Sequence, residues 1–224
     1  MSVAARLREA KKLPQRGASL PELLTALMVT GLLLAMVAAL FVQTGKIGTA
    51  SIQNGRAASQ AGNIMNAIET PVRVASNVVI SGGTSPAVQE AKQDGFTLLA
   101  LTDVAAGDSV NAATKYQFFV TTAGELKVTV CGVSITSVGI STPSSCNSPR
   151  TRVAGSGLTS TAIFTYNDSS GNAIAFSSGA IAAGSLKNIA SITVTASVVS
   201  GTGQTPVAIN TTIPMPNLGL SSTS

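Results

Sequence analysis

Histidine is absent from all 224 residues. Without it the chain has no Ser-His-Asp triad, no Cys-His dyad and no histidine-based metal site. Charge is scarce as well: Asp, Glu, Lys and Arg make up only 10% of the chain, and the carboxylates do not cluster. Glu90, Asp94 and Glu125 offer no spacing that pairs an acid with a base. Asp103 and Asp108 lack EF-hand spacing, so all five acids are expected at solvated surface positions. No glycine-rich motif of the phosphate-cradling kind is present. Aromatic residues are few, and Tyr116, Phe118 and Phe119 fall within one β-like run that reads as core or sheet face. The chain therefore reads as a non-enzyme, with no cofactor and no metal expected.

Cysteine is equally sparse. Cys131 and Cys146, with 14 residues between them, form either one disulfide or two separate buried thiols. Export favours the disulfide, and closing a loop of that size contributes about 3 kcal/mol in the chain-entropy model. The formal charge of +5 suggests an acidic partner until its distribution is counted. Residues 1–17 hold Arg6, Arg8, Lys11, Lys12 and Arg16 against Glu9, a net of +4, and everything beyond Gly17 nets +1. The basicity is thus mostly a property of the first 17 residues. Arg150 and Arg152, beside Pro149, make a small basic spot without interleaved aromatics, so a nucleic-acid partner is not expected. Asn167 and Asn210 begin N-x-S/T sequons.

What is present is concentrated in residues 16–42, RGASLPELLTALMVTGLLLAMVAALFV. A basic leader ends in Gly17, Glu22 follows five residues later, and Leu23 to Val42 is a run of 20 residues without a charge. As a helix that run spans about 30 Å, the thickness of a bilayer's hydrocarbon core. Five cations precede it, and only Lys46 and Arg56 follow closely, which orients the leader to the cytoplasm and the rest outside. Ser19 suits the helix N-cap, Pro21 is tolerated in the first turn, and Glu22 suits the positive end of the helix dipole. A carboxylate at the mouth of an apolar span is expensive to bury, so Glu22 calls for a partner. A secretory signal cleaved near Ala35–Ala39 is one competing reading, but its apolar stretch is ordinarily about 7–15 residues. A plain signal anchor explains the span, yet neither Gly17 nor Glu22.

The stretch RGASLPELLTALMVTGLLLA resembles the prepilin cleavage and methylation motif of type IV pilins and type II secretion pseudopilins. The resemblance implies cleavage after Gly17 by a prepilin peptidase on the cytoplasmic side and N-methylation of the new terminus, Ala18. It also implies that Glu22 neutralises the terminal amine of a neighbouring subunit in a filament, and Gly31 matches a glycine common in the family's segment. The implied partners are prepilin peptidase, other pilin or pseudopilin subunits, an inner-membrane assembly platform and membrane lipid. The implied location is the cytoplasmic membrane, with the remainder periplasmic or on the cell surface. Alanine at position 18, Pro21 before the glutamate, and no proline deeper in the run are departures from the pattern, and the last two favour a minor pilin or pseudopilin over a major one. The rival class is an extracytoplasmic β-domain acting as a binding or adhesion module on an uncleaved signal anchor.

Beyond the span, Ile47, Ala50 or Ser51, Ala57, Ala61, Ile64 or Met65, Ile68 and Val72 recur near helical spacing, which predicts an amphipathic stem over residues 43–75 ending near Pro71. Gly45, Gly48, Gly55 and Gly62 weaken it and leave room for a kink. Residues 76–224 change to short β-branched runs. Strands are predicted at Val78–Ser81, Thr97–Leu101, Tyr116–Thr121, Leu126–Cys131, Ala162–Tyr166, Ala173–Phe176, Ser191–Val199 and Val207–Ile213. Turns are predicted at 122–125 and 167–171, and residues 139–157 read as a loop pinned by the disulfide. The expected fold class is α+β: a long N-terminal transmembrane and stem helix packed on a mostly antiparallel β-sheet head. The Tyr116–Val130 strand pair, the phrase Phe164–Gly171 and the strand Ile189–Val199 resemble the layout of larger minor pilins and J-type pseudopilins.

Overall fold

The computed structural model describes residues 19–80, 83–103, 112–136, 139–140, 147–201 and 205–219. The leader with Gly17 and Ala18, and the expected disulfide partner Cys146, lie outside these residues. The fold is α+β: one long N-terminal apolar helix and antiparallel sheets. The chain divides into two compact units, Met1–Thr49 and Ala50–Ser224, and the helix α1 (Leu20–Val74) contributes residues to both.

In the second unit the residues of α1 obey one periodicity. Ala57, Ala61, Ile64, Ile68 and Val72 are buried, each three or four positions from the last, and Ala67 and Pro71 flank the stripe. The helix is continuous in its hydrogen bonding through Gly45, Gly48, Gly55 and Gly62, without a melted turn. Pro71 falls in the last full turn, and Glu69 pairs with Arg73 at 2.7 Å just before the helix ends. Asn77 then clamps the exit: its Oδ1 accepts the Ala87 N–H at 2.8 Å, and its Nδ2 donates to the Leu218 carbonyl at 2.7 Å.

The strands are β1 (Val78–Ile80), β2 (Gly83–Ser85), β3 (Val88–Ala91), β4 (Gly95–Asp103), β5 (Ala112–Val120), β6 (Leu126–Thr136), β7 (Gly139–Ile140), β8 (Asn147–Gly155), β9 (Phe164–Asn167), β10 (Ser191–Val198) and β11 (Val207–Pro214). β1 and β2 pair with each other. A six-stranded sheet runs β3-β4-β5-β6-β7, with β8 alongside β6, and a three-stranded sheet runs β11-β10-β9. Every pairing is antiparallel. The turn between β5 and β6 closes with Gly124 at φ +73°, a left-handed conformation that suits glycine, and its N–H donates to Thr121 O. At 167–172 the Asp168 carboxylate accepts the Ser170 and Asn172 N–H groups, both at 2.9 Å, and Gly171 takes φ +82°.

Three features differ from the sequence reading. Residues 147–155, expected within a loop, form β8; Pro149 is compatible because β8 is an outer strand, where a missing N–H breaks no ladder. Residues 173–176, expected as a strand, form only single bridging bonds, with Ile174 N–H donating to Tyr166 O, before a turn through Ser178 and Gly179. β3, whose Val-Gln-Glu-Ala sequence carries no strong strand signal, is a strand because its neighbour β4 fixes it.

Aromatic contacts join the sheets. Phe96 on β4 stacks on Phe118 of β5 at 4.6 Å between centroids and meets Phe164 of β9 edge-on at 4.9 Å. Tyr166, fully buried on β9, directs its hydroxyl at the carbonyl oxygens of Lys92 (2.7 Å) and Gly95 (3.0 Å), at the turn between β3 and β4. Burial pushes the phenol's ionisation well above its ordinary range, so it remains a donor throughout the working pH range. Gly155 lies so close to Ile64 and the Gln60 carbonyl that any side chain would displace the helix from β8. Replacing Tyr166 by Phe removes the hydroxyl while keeping the ring. Chemical denaturation is expected to show a loss of about 1–3 kcal/mol with an unchanged m-value, because the part-buried Lys92 carbonyl and the buried Gly95 carbonyl lose the hydroxyl donor.

Candidate functional site

The described residues of the first unit, from Ser19 to Thr49, are all exposed. Leu20, Leu23, Leu24, Leu27, Met28, Val29, Leu32, Leu33, Leu34, Met36, Val37, Leu40, Phe41 and Val42 are all exposed, Leu27 at 63% and Met28 at 75%. The segment is helical because its residues are dominated by Leu, Ala and Met, which form helix readily, and its β-branched residues are dispersed. It starts where Ser19 O accepts the N–H groups of Glu22 (2.9 Å) and Leu23 (3.1 Å). The helix is long and apolar enough to cross a membrane, by length and composition.

Its polar atoms are arranged for an apolar solvent. Thr25 donates to Glu22 O (3.0 Å), Thr30 to Ala26 O (2.7 Å), and Thr44 to Leu40 O (2.8 Å). Thr49 donates to Lys46 O at 2.9 Å and Gly45 O at 3.2 Å. Each hydroxyl is thus satisfied within its own helix and needs neither water nor a neighbour. These threonines escaped the sequence reading, although a hydroxyl three or four residues after a carbonyl in a helix is the signal that finds them. The exposed exception is Glu22 in the first turn, at the positive end of the helix dipole. Gly31, Gly45 and Gly48 meet nothing where a side chain would stand, so no packing within the chain requires them to be glycine.

The remaining candidates are dispersed. Cys131 is buried on β6, 4% exposed. Glu90 pairs with Lys92 (2.6 Å) and Glu125 with Lys127 (3.4 Å), and the Glu90 carboxylate raises the Lys92 ammonium's pKa. Both carboxylates are thereby paired with lysines, and Glu90, Lys92 and Asp94 line a small depression of about 90 Å³. Arg150 and Arg152 lie exposed on β8, and Arg152 faces Asn63 and Asn66 across an open depression of about 400 Å³. Phe118 is core, whereas Phe119 is partly exposed. Among the described residues, no three His, Cys, Asp or Glu side chains come together as a metal site requires. No protein-family model, curated protein or solved structure matches the chain.

Among the described residues, what the first helix offers is an apolar surface long enough to cross a membrane and one carboxylate, Glu22, in its first turn. An arginine at the exposed Leu32 position, midway along the span, is expected to disfavour membrane insertion by about 2.5–3.5 kcal/mol. Alkaline extraction of membranes would then move most of the Leu32→Arg chain from pellet to supernatant, while the unsubstituted chain stays in the pellet.

Proposed function

We propose that the chain is a structural subunit, a minor pilin or pseudopilin, of a type IV pilus or type II secretion-like filament. The observation that supports this reading is an uncharged, exposed helical surface from Leu23 to Val42 with Glu22 at its mouth. Prepilin peptidase cuts after Gly17, Ala18 becomes a methylated terminus, and the membrane stores the processed chain through its first helix. Extraction onto the assembly platform then replaces lipid by neighbouring helices. The Ala18 amine of one subunit meets Glu22 of another, a pair of charges tolerable together and costly apart in a low dielectric. Residues 76–224 form the head, outside the cytoplasmic membrane, with Cys131 and Cys146 joined as a disulfide. The open space at exposed Gly31, which no described residue occupies, supports close approach of a neighbouring helix.

Mass spectrometry of the membrane form is expected to find an N-terminus at methylated Ala18. An intact leader overturns the filament reading in favour of an anchored binding module. Glu22→Ala is expected to leave processing normal and lower incorporation into filaments more than tenfold, since an unpaired buried charge costs about 3–5 kcal/mol. For the disulfide, the unreduced chain is expected to migrate faster than the reduced chain in denaturing gels and to react with no thiol reagent. Two reactive thiols after denaturation would contradict it.

A further inference from the structure

β11 is the outer strand of the three-stranded sheet, paired with β10 on one side. The phase of its hydrogen bonds follows from the strands around it. Thr195 N–H donates to Ile163 O and Ser197 O accepts from Thr159 N–H, so odd-numbered residues of β10 turn their backbone groups toward the β9 side. Val199 N–H donating to Gly157 O keeps the same phase, so the even-numbered residues of β10 turn theirs toward β11. In the observed register Ile192 faces Ile213, Val194 faces Thr211, Ala196 faces Ile209 and Val198 faces Val207. The odd residues of β11 are therefore satisfied by β10, and the N–H and C=O groups of Ala208, Asn210 and Thr212 point out of the sheet. All three residues are exposed.

Outer strands are ordinarily covered or armed with charge or proline against further pairing. β3 is covered where Ile181 N–H donates to Ala91 O, and β9 where Ile174 N–H donates to Tyr166 O. β8 carries Pro149, Arg150 and Arg152. β11 has no such device along Val207–Ile213, and from Asn188 to Ser224 the sequence has no charged side chain. Its only prolines, Pro206 and Pro214, bracket the free edge symmetrically about Asn210.

We infer that this edge pairs with the same edge of a second copy of this chain, antiparallel about a two-fold axis through Asn210, joining two three-stranded sheets into one. Asn210 then faces its own counterpart and Ala208 faces Thr212, so the two copies exchange about six N–H···O bonds. Pro206 falls opposite Pro214, just outside the bonded stretch. A slip of two residues either way sets a proline ring against Ala208 or Thr212, where that pair keeps only one of its two bonds. No like charges meet, whereas β8 paired with itself would bring its arginines together. The contact is independent of the filament reading.

Cysteine cross-linking of the full chain in detergent tests it, with the unsubstituted chain as baseline for Cys131 and Cys146. Directly opposed residues have Cβ atoms about 4.5–5.5 Å apart, within a small adjustment of disulfide geometry. Under mild oxidation Asn210→Cys is expected to give a covalent dimer. Ala208→Cys and Thr212→Cys are each expected to give none alone and a dimer when mixed. Asn210→Lys, which opposes two ammonium groups on an exposed position, is expected to return the chain to a monomer in light scattering with unchanged circular dichroism. Absence of the Asn210→Cys dimer, equal cross-linking at all three positions, a cross-link to another protein, or a dimer that survives Asn210→Lys overturns the inference.

Discussion

Fourteen large apolar side chains between Leu20 and Val42 are exposed, with no cover among the described residues, and this is the constraint on which everything else turns. At about 1.5–3 kcal/mol per side chain left in water, the penalty exceeds about 20 kcal/mol, more than a whole domain's typical folding stability of about 5–15 kcal/mol. Such a surface calls for an apolar surrounding, and the helix is long and apolar enough to cross a membrane. Its backbone groups are satisfied by helical hydrogen bonds, and its threonine hydroxyls bond to carbonyls one turn back. What the helix lacks is a cover, and Glu22 adds a second demand, for a cation at the mouth of that cover.

The second unit solves its own burial problem with its own residues. The stripe Ala57, Ala61, Ile64, Ile68 and Val72 packs into the same core as Leu98, Phe118 and Val128 of one sheet and Ile192, Val194 and Ile213 of the other. Tyr166 links the sheets at a backbone carbonyl rather than at a side chain, so the joint depends on the β3–β4 turn keeping its shape. Small residues on the helix, Ala57 and Ala61, and Gly155 on β8 allow close approach where bulkier ones would hold the layers apart.

Much of this was legible in the sequence, and the reasons are uneven. The stem stripe was readable because one buried face of a helix imposes its period, and β6, β10 and β11 because β-branched residues dominate them. β8 was hidden by Pro149 and Gly155, which signal a loop but also suit an outer strand and a close helix contact. β3 was hidden because pairing with β4, a tertiary effect, outweighs its local preference. Of the candidate site, the span and Glu22 were readable from charge alone. The threonine bonds follow from helical spacing, whereas the clamp at Asn77 depends on Leu218, 141 residues away, which local sequence does not specify.

The central claim is that residues 23–42 are kept from water by something other than this chain. Single cysteines placed along that stretch, and at exposed head positions such as Ser160, can be probed in intact cells with a membrane-impermeant maleimide. The account predicts rapid labelling at Ser160 and none from Leu23 to Val42. Labelling within the span at the rate seen at Ser160 would contradict it.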